Sequence, residues 1–250
     1  MGTADFEYPP VIYLEKTDST NREMRMRAEA GELMNESVVM AEFQTAGRGQ
    51  SGSRWESEAG QNLTCSLLYC PVSLPVAQSF VLAELAALSV KHILDRHAGA
   101  VTVKWPNDLY RESGKIGGLL IENLIDGNRI TRSIIGIGLN LNQKIFCSDA
   151  PNPVSLSRIT GLAYDPKEML RTLRVAFHQL AGRLESDGQE RIHREYVEAQ
   201  YRNDGCFYLW EDAGGRFEAR FRDIAPSGHL LLERRDGAVS RYAFKEVRYV

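Results

Sequence analysis

The sequence predicts an α/β (α+β) protein, in which a sheet with helices packed on it is followed by a small all-β module. Two observations predict this class. Up to about residue 201, short apolar runs typical of buried strands alternate with longer segments of helical periodicity. Beyond residue 204, short strand-like runs are separated by turn sequences. We therefore expect two domains, residues 1–203 and residues 204–250.

The elements of the larger domain follow from local patterns. Asp18, Ser19 and Thr20 are residue types that cap helices, so a helix is expected to begin there, after a first strand at 11–16. Apolar residues at helical spacing predict a second helix over 76–97. Further strands are expected at 37–43, 62–70, 101–105, 115–125 and 132–142, helices at 166–187 and 189–201, and a loop at 143–165.

The C-terminal module is expected to contain four or five short strands. Its β-prone runs cover residues 206–210, 216–224, 229–235, 239–244 and 246–250. Turn sequences such as DAGG, APSG and RDG separate them.

Composition limits the kind of protein this is. A chain with 43% hydrophobic and 25% charged residues is typical of a soluble globular protein. No apolar stretch approaches the roughly 18 residues of a membrane span, and the N-terminus lacks the features of a signal peptide. We expect a cytoplasmic protein without a membrane partner. With a net charge of −3, no global basic field draws the chain to nucleic acid.

The cysteines and histidines predict no metal site. The four cysteines form no CxxC pair and are expected to be free thiols in or near a core. The histidines at 92, 97, 178, 193 and 229 show no spacing typical of metal ligands.

The segment QTAGRGQSGSRW, residues 44–55, suggests a binding loop. It matches G-x-G-x-x-G, but no helical pattern follows, which argues against a dinucleotide-binding turn. A flexible linker is the alternative, although the segment joins two predicted strands. Glycines let backbone N–H groups approach an anion, Arg48 offers a planar fork for phosphate or carboxylate, and Trp55 offers a flat wall for a base.

Two further segments suggest a site. If RESG, residues 111–114, turns a hairpin centred between Arg111 and Glu112, Asp108 faces Lys115 across the strands, with a two-residue register slip left open. An ordinary surface ion pair is the alternative reading of the two charges. In the predicted strand at 134–142, Gly136, Gly138 and Asn140 share one face. Because glycines have no side chain, this face suggests an open surface on which a flat ligand can lie, with asparagine amides able to hydrogen-bond to the edge of a base. The alternative is that the glycines mark a barrel-like corner of the sheet.

Taken together and in this order, five segments resemble the biotin protein ligases. They are TDSTN (17–21), QTAGRGQSG (44–52), KWPNDL (104–109), KIGGLLIE (115–122) and GIGLNLN (136–142). The resemblance spans nearly the whole chain, and the combination of GRG with KWPND and the lysine that follows is highly specific.

The resemblance implies a two-step enzyme. The biotin carboxylate attacks the α-phosphate of MgATP to give biotinyl-5′-adenylate, which then acylates a lysine of the biotin carboxyl carrier domain of a biotin-dependent carboxylase. It also implies a mixed sheet flanked by helices, related to class II aminoacyl-tRNA synthetases, with an SH3-like β-barrel at the C-terminus. Some relatives carry an N-terminal DNA-binding domain. The short stretch before the first strand leaves no room for one, so we expect no operator binding, and a monomer or homodimer.

The resemblance also implies the site residues, position by position. Lys115 would sit at the reacting centre, Arg48 would hold phosphate and carboxylate oxygens, and Asp108 would position or deprotonate the incoming lysine. The residues expected around biotin are Ser19, Thr20, Asn21, Gln44, Gly47, Arg48, Gly49, Gln50, Lys115 and Gly118. Those expected at the nucleotide are Arg48, Gln50, Trp55, Lys104, Asn107, Lys115 and Asn140, with Trp55 and Asn140 at the adenine.

One departure from the family pattern concerns the loop. Where GRGRxGR is common in the family, this chain has GRGQSGS, so Gln50 and Ser53 replace two arginines, with Arg54 nearby. We expect looser closure over the adenylate. A lipoate ligase or another acyl-adenylate-forming ligase is the alternative enzyme. A nucleotide- or RNA-binding module without enzymatic activity is the alternative outside enzymes.

Overall fold

The computed structural model describes residues 8–147 and 151–250, and those ranges contain two β-sheets and five α-helices. The larger sheet is formed by β1 Val11–Thr17, β2 Val38–Gln44, β3 Leu63–Tyr69, β4 Leu74–Pro75, β5 Thr102–Lys104, β6 Asp108–Arg111, β7 Gly114–Asp126 and β8 Arg129–Leu139. The helices are α1 Thr20–Glu29, α2 Val81–Ala98, α3 Leu156–Thr160, α4 Pro166–Asp187 and α5 Gln189–Glu198. The smaller sheet is formed by β9 Tyr208–Asp212, β10 Gly215–Ile224, β11 Leu230–Arg234, β12 Val239–Tyr242 and β13 Val247–Tyr249.

The larger sheet is mixed and has helices on both faces, as predicted. Its strand order is β1-β2-β3-β8-β7-β6-β5, with β4 beside β8. β1 and β2 are parallel and the remaining pairs are antiparallel. Because side chains alternate along a strand, Val39 packs with Met24 of α1, while Val38 and Met40 belong to the main core that contains α2 and α4.

Three predictions from the sequence need correction. The region 143–165 is not all loop, because it contains α3; residues 148–150 lie outside the described part. The prediction that no apolar stretch is long enough to cross a membrane is wrong for Val76–Ala98, by length and composition alone. Within this segment, Leu82, Leu85 and Ile93 are fully buried, as in the core helix of a globular domain. The cysteines are free as expected, but Cys147 and Cys206 are exposed.

The C-terminal runs form five antiparallel strands in the order β12-β11-β10-β9-β13. This sheet packs directly on the larger domain. The indole Nε1 of Trp105 donates to the Gly228 carbonyl at 2.9 Å, and one continuous buried cluster includes Trp105 together with Trp210 and Leu230. The SH3-like barrel and the boundary at residue 204 stay predictions.

An ion-pair cluster centred on His193 of α5 also joins the helices of the larger domain to the smaller sheet. His193 Nδ1 lies 2.7 Å from a carboxylate oxygen of Glu84 in α2, and Nε2 lies 3.4 Å from Asp223 in β10. Glu84 is almost fully buried. The hydrogen bond to Glu84, with the charges of Glu84 and Asp223, raises the pKa of His193.

This shift predicts a pH-dependent stability. Because the pKa of His193 is higher in the folded than in the unfolded protein, protonated His193 stabilises the fold. This stabilisation is fully present below the unfolded pKa of about 6.5 and is lost as pH rises through the folded pKa. In urea unfolding, His193→Asn should therefore cost more free energy at pH 5.5 than at pH 8. His92 is the control, because burial lowers its pKa; His92→Asn should show the opposite trend. A pH-independent difference for His193→Asn would contradict the prediction.

Candidate active site

A cleft of about 200 Å³ lies at the start of α1, next to the loop that follows β2 and the connection from β5 to β6. It brings together every predicted site residue except Gly47 and Asn140. The predicted residues that line it are Ser19, Thr20, Asn21, Gln44, Arg48, Gly49, Gln50, Trp55, Lys104, Asn107, Asp108, Lys115 and Gly118. Residues separated by almost a hundred positions thus share one cleft.

Polar groups at the start of α1 form one end of this cleft. Ser19, Thr20 and Asn21 are nearly fully buried. The side-chain oxygen of Gln44 accepts hydrogen bonds from the backbone N–H of Thr20 at 2.8 Å and from the Thr20 hydroxyl at 3.2 Å. Because an amide whose oxygen is engaged turns its NH₂ group the other way, the Gln44 nitrogen is available as a donor. This end can bind a small polar ring.

The glycine–arginine loop is a closed loop and not a flexible linker. The N–H of Trp55 donates to the Gly47 carbonyl at 2.9 Å, and the N–H of Gly49 donates to the Ser53 carbonyl at 2.7 Å. A Cβ at Gly47 would lie 2.5 Å from the Trp55 carbonyl oxygen, and one at Gly49 would lie 2.4 Å from the Ser53 hydroxyl. The loop therefore needs both glycines for its own close contacts.

The glycine-bearing strand is covered by the protein's own side chains. A Cβ at Gly138 would lie 2.4 Å from the Trp55 indole, and one at Gly136 would lie 2.4 Å from the Asn21 amide oxygen. The floor that the sequence suggested for a flat ligand thus accommodates an indole and an amide. The side of the Trp55 indole that faces away from Gly138 is where a second flat ring can stack.

Two buried polar atoms in this region have no hydrogen-bond partner within the described ranges. They are the Trp55 indole nitrogen and the Gln50 side-chain oxygen. An unpaired buried polar group is costly, by roughly 1–3 kcal/mol. A polar ligand in the cleft would relieve that cost.

Lys115 and Asp108 form an ion pair in the cleft. Lys115 Nζ lies 2.6 Å from Asp108 Oδ1, and the side chains are 18% and 24% exposed. The predicted contact is present, but the predicted register is wrong. Asp108 is opposite Gly118, because Arg111 pairs with Gly114, which centres the turn one residue later than expected, and an irregularity between Leu109 and Tyr110 shifts the pairing by one more residue. The two side chains meet diagonally.

Arg48 pairs with a residue that the sequence reading missed. Its Nη2 lies 3.3 Å from Glu122 Oε2, and the same carboxylate oxygen accepts a hydrogen bond from the Asn21 amide at 2.8 Å. Glu122 is the last residue of the KIGGLLIE motif, and this position is the sequence feature from which its role in the site could have been predicted. Both predicted anion-binding cations, Arg48 and Lys115, thus have carboxylate partners that an anionic ligand must compete with.

Lys104 lies among aromatic rings at the other side of the cleft. Its Nζ is 4.8 Å from the ring centre of Tyr110, 5.6 Å from that of Tyr201 and 4.6 Å from that of Tyr249. Burial lowers the pKa of Lys104, against the opposing charge of Asp108. Since Tyr249 is in β13, this cation links the cleft to the C-terminal sheet.

The two predicted site residues outside the cleft have structural contacts. Gly47 lies on the outer side of the loop. Asn140 follows the end of β8, and its amide lies 3.4 Å from the Lys115 carbonyl and 3.3 Å from the Val154 carbonyl. Both contacts are made by the amide nitrogen, so the Asn140 amide oxygen is the group left for its predicted adenine contact.

Other lining residues were not predicted as site residues, although Trp105 lies within the KWPNDL motif. Cys65, Trp105 and Phe244 contribute apolar surface. Burial raises the pKa of the Cys65 thiol to about 12, so this thiol stays protonated and unreactive and contributes only to the surface of the cleft. Phe244 comes from the C-terminal segment, which only the packing of the two sheets brings here. Across the described ranges, no group of three metal-ligating side chains exists.

Comparison with known proteins agrees with this geometry. Residues 13–140 match the sequence profile described as "Biotin/lipoate A/B protein ligase family". The chain is similar to a biotin–[acetyl-CoA-carboxylase] ligase of Paracoccus denitrificans, with 34% identity over 88% of this chain and 92% of that protein.

Solved structures show the same fold. A biotin protein ligase from Aquifex aeolicus in complex with biotin and ATP aligns with a TM-score of 0.78 at 23% identity, covering 97% of this chain and 100% of that one. A biotin protein ligase from Leishmania major in complex with biotinyl-5-AMP aligns with a TM-score of 0.65 at 26% identity, covering 94% and 99%. The chain belongs to the biotin/lipoate A/B protein ligase family and, within it, to the biotin protein ligases.

Proposed function

We propose that the cleft activates biotin with ATP and transfers the biotinyl group to a lysine of a biotin carboxyl carrier protein. The observation that carries the proposal is the arrangement of one cleft. A polar pocket at Ser19–Asn21 and Gln44, two cations on separate segments, and an indole lie together. This set of groups can bind a small polar ring, two anions that react with each other, and the nucleobase of a nucleotide. The activity is that of a biotin–[acetyl-CoA-carboxylase] ligase.

In the first step, a biotin carboxylate oxygen forms a bond to the α-phosphorus of MgATP, and the bond to pyrophosphate breaks. Two anions must approach each other, so cations at their junction stabilise the charge that grows on the α-phosphoryl oxygens. Lys115 and Arg48 fill this role when the ligand anions displace Asp108 and Glu122 as partners. Magnesium arrives with ATP as part of the substrate.

In the second step, the lysine amine of the carrier attacks the acyl carbonyl of the adenylate, and AMP leaves. A lysine is mostly protonated at neutral pH, so its amine must lose a proton. Asp108 is the carboxylate in the cleft, and it becomes available once Lys115 turns to the ligand. We assign it as the base or orienting group for this amine.

The remaining assignments extend this proposal. Trp55 stacks on the adenine, and Lys104 and Asn107 lie on the nucleotide side. The enzyme acts in the cytoplasm without membrane or nucleic-acid partners, as a monomer or homodimer.

The decisive experiment supplies ATP, magnesium, a carrier domain and either biotin or lipoate to the chain. Avidin detection of the carrier with biotin, together with pyrophosphate exchange that depends on biotin and not on lipoate, is the expected result. Exchange with lipoate alone would favour the alternative ligase. Salt-sensitive RNA binding without either activity would favour a binding module.

The missing arginines predict a measurable difference in how the intermediate is retained. Gln50→Arg adds a cation where a buried amide oxygen now has no partner within the described ranges, and we expect slower release of biotinyl-adenylate. A stopped-flow dissociation rate measures it. Gln78→Arg, an exposed change away from the cleft, is the control. An unchanged rate for Gln50→Arg would mean that residue 50 does not hold the intermediate.

A further inference from the structure

The carboxylate of Glu122, on β7, contacts two arginines from different parts of the chain. Its Oε2 atom lies 3.3 Å from Arg48 Nη2 and accepts a hydrogen bond from the Asn21 amide at 2.8 Å. Its Oε1 atom lies 3.8 Å from Nη2 of Arg25, a residue of α1. The Glu122 side chain is 23% exposed. This largely shielded carboxylate therefore has a guanidinium group beside each of its oxygens.

Arg25 is close to Glu122 without being fully engaged by it. The 3.8 Å separation is beyond a direct hydrogen bond, and no other carboxylate in the described part of the chain lies within 4.0 Å of Arg25. By contrast, Arg27 on the same helix lies 2.7 Å from Glu23. A small movement of the long Arg25 side chain would bring it into contact with Glu122. Arg25 is thus a cation in reserve beside this carboxylate.

Ligand binding changes which cation Glu122 needs. In the proposed first step, Arg48 leaves Glu122 for the oxygens of the ligand. The carboxylate would then keep its charge with only the Asn21 amide beside it, and removing one partner of a shielded ion pair costs free energy. Once Arg48 has left, its repulsion of the other guanidinium group is also relieved, so Arg25 can approach Glu122 more closely. Arg25 therefore favours the state in which Arg48 binds the ligand.

We propose that Arg25 is a positioning residue that takes over Glu122 when Arg48 turns to the biotinyl-adenylate, and that it thereby slows release of this intermediate. The inference rests on the proposed function, in which Arg48 holds phosphate and carboxylate oxygens. It adds a residue that does not line the cleft and acts through Glu122. Because the pair is partly exposed, its contribution should be that of a surface ion pair, equivalent to roughly two- to fivefold in affinity.

The test measures the dissociation rate of biotinyl-adenylate from the full chain by stopped flow. Arg25→Gln keeps a long polar side chain but removes its charge, and it should release the intermediate roughly two- to fivefold faster than the wild type. Arg25→Lys keeps the charge and should restore most of the retention. Arg27→Gln is the matched control, because the Arg27 side chain is 32% exposed against 35% for Arg25 and pairs with Glu23. Its release rate should be that of the wild type.

Glu122→Gln separates this role from a general effect on α1. In that variant there is no charge for Arg25 to compensate, while the amide oxygen of glutamine can still accept from Asn21. Adding Arg25→Gln to Glu122→Gln should therefore leave the release rate of the single variant unchanged. A structural disturbance of the helix would instead speed release to the same extent with and without the Glu122 charge.

Two results would overturn the inference and leave the proposed function intact. One is a wild-type release rate in Arg25→Gln, and the other is an equal acceleration by Arg25→Gln in the presence and absence of the Glu122 charge. If the wild type formed no biotinyl-adenylate from biotin and ATP, the proposed function would fail, and the inference with it.

Discussion

Replacing Lys115 by alanine is expected to slow biotin-dependent ATP–pyrophosphate exchange by roughly 10²–10³-fold, the usual cost of losing one preorganised group that stabilises transition-state charge. Lys115 is mostly buried in the cleft, where its ammonium group lies 2.6 Å from Asp108. The variant leaves the Asp108 carboxylate without its partner where two anions must approach. Isotope exchange between labelled pyrophosphate and ATP measures the first step alone.

Lys91→Ala is a closely matched control for this variant. Lys91 also pairs with an aspartate at 2.6 Å, and its side chain is 19% exposed, against 18% for Lys115. It lies on α2, away from the cleft. Exchange should be normal in Lys91→Ala. Near-normal exchange in Lys115→Ala would remove Lys115 from the mechanism.

Asp108→Asn is expected to reduce transfer of biotin to the carrier lysine by roughly 10²–10⁴-fold, the range attributed to a general base. An amide keeps the oxygen that Lys115 contacts, but it takes up no proton at neutral pH. Supplying preformed biotinyl-adenylate with the carrier domain isolates this step. Pyrophosphate exchange, measured in parallel, should be affected much less.

Asp95→Asn serves as the control, because Asp95 pairs with Lys91 and accepts a hydrogen bond from the Val101 N–H at 2.8 Å, outside the cleft. Transfer should be normal in it. If Asp108→Asn lost exchange and transfer equally, Asp108 would act by holding Lys115, and the base assignment would be wrong.

Most elements could be predicted because their signals are local. The bounds of α4 agree with the predicted 166–187, where Asp165 caps the helix by accepting from the Lys167 N–H and Pro166 occupies the first turn. The five C-terminal strands follow from β-prone runs between turns. Helix α3 was missed, because five residues carry too little periodicity to separate a helix from a loop.

The register of the β6–β7 hairpin could not be predicted. The turn is centred between Glu112 and Ser113, one residue later than expected, which moves the partners by two residues, and the irregularity between Leu109 and Tyr110 moves them by one more. The ion pair of Lys115 with Asp108 survives because a long side chain reaches a diagonal neighbour. Asn140 lies just past Leu139, where β8 ends, so strand alternation does not fix the face on which it lies; its adenine role, implied by the family resemblance, stays a prediction.

By itself, the sequence determined the types of the elements, the family, and 13 of the 24 residues that line the cleft, because these depend on local patterns and on motifs of fixed spacing. Only the tertiary structure decided their partners. Glu122 pairs with Arg48 across 74 positions, and Trp55 covers Gly138. Such contacts depend on strand register and packing between distant segments, and a shift of one residue would turn each side chain to the other face.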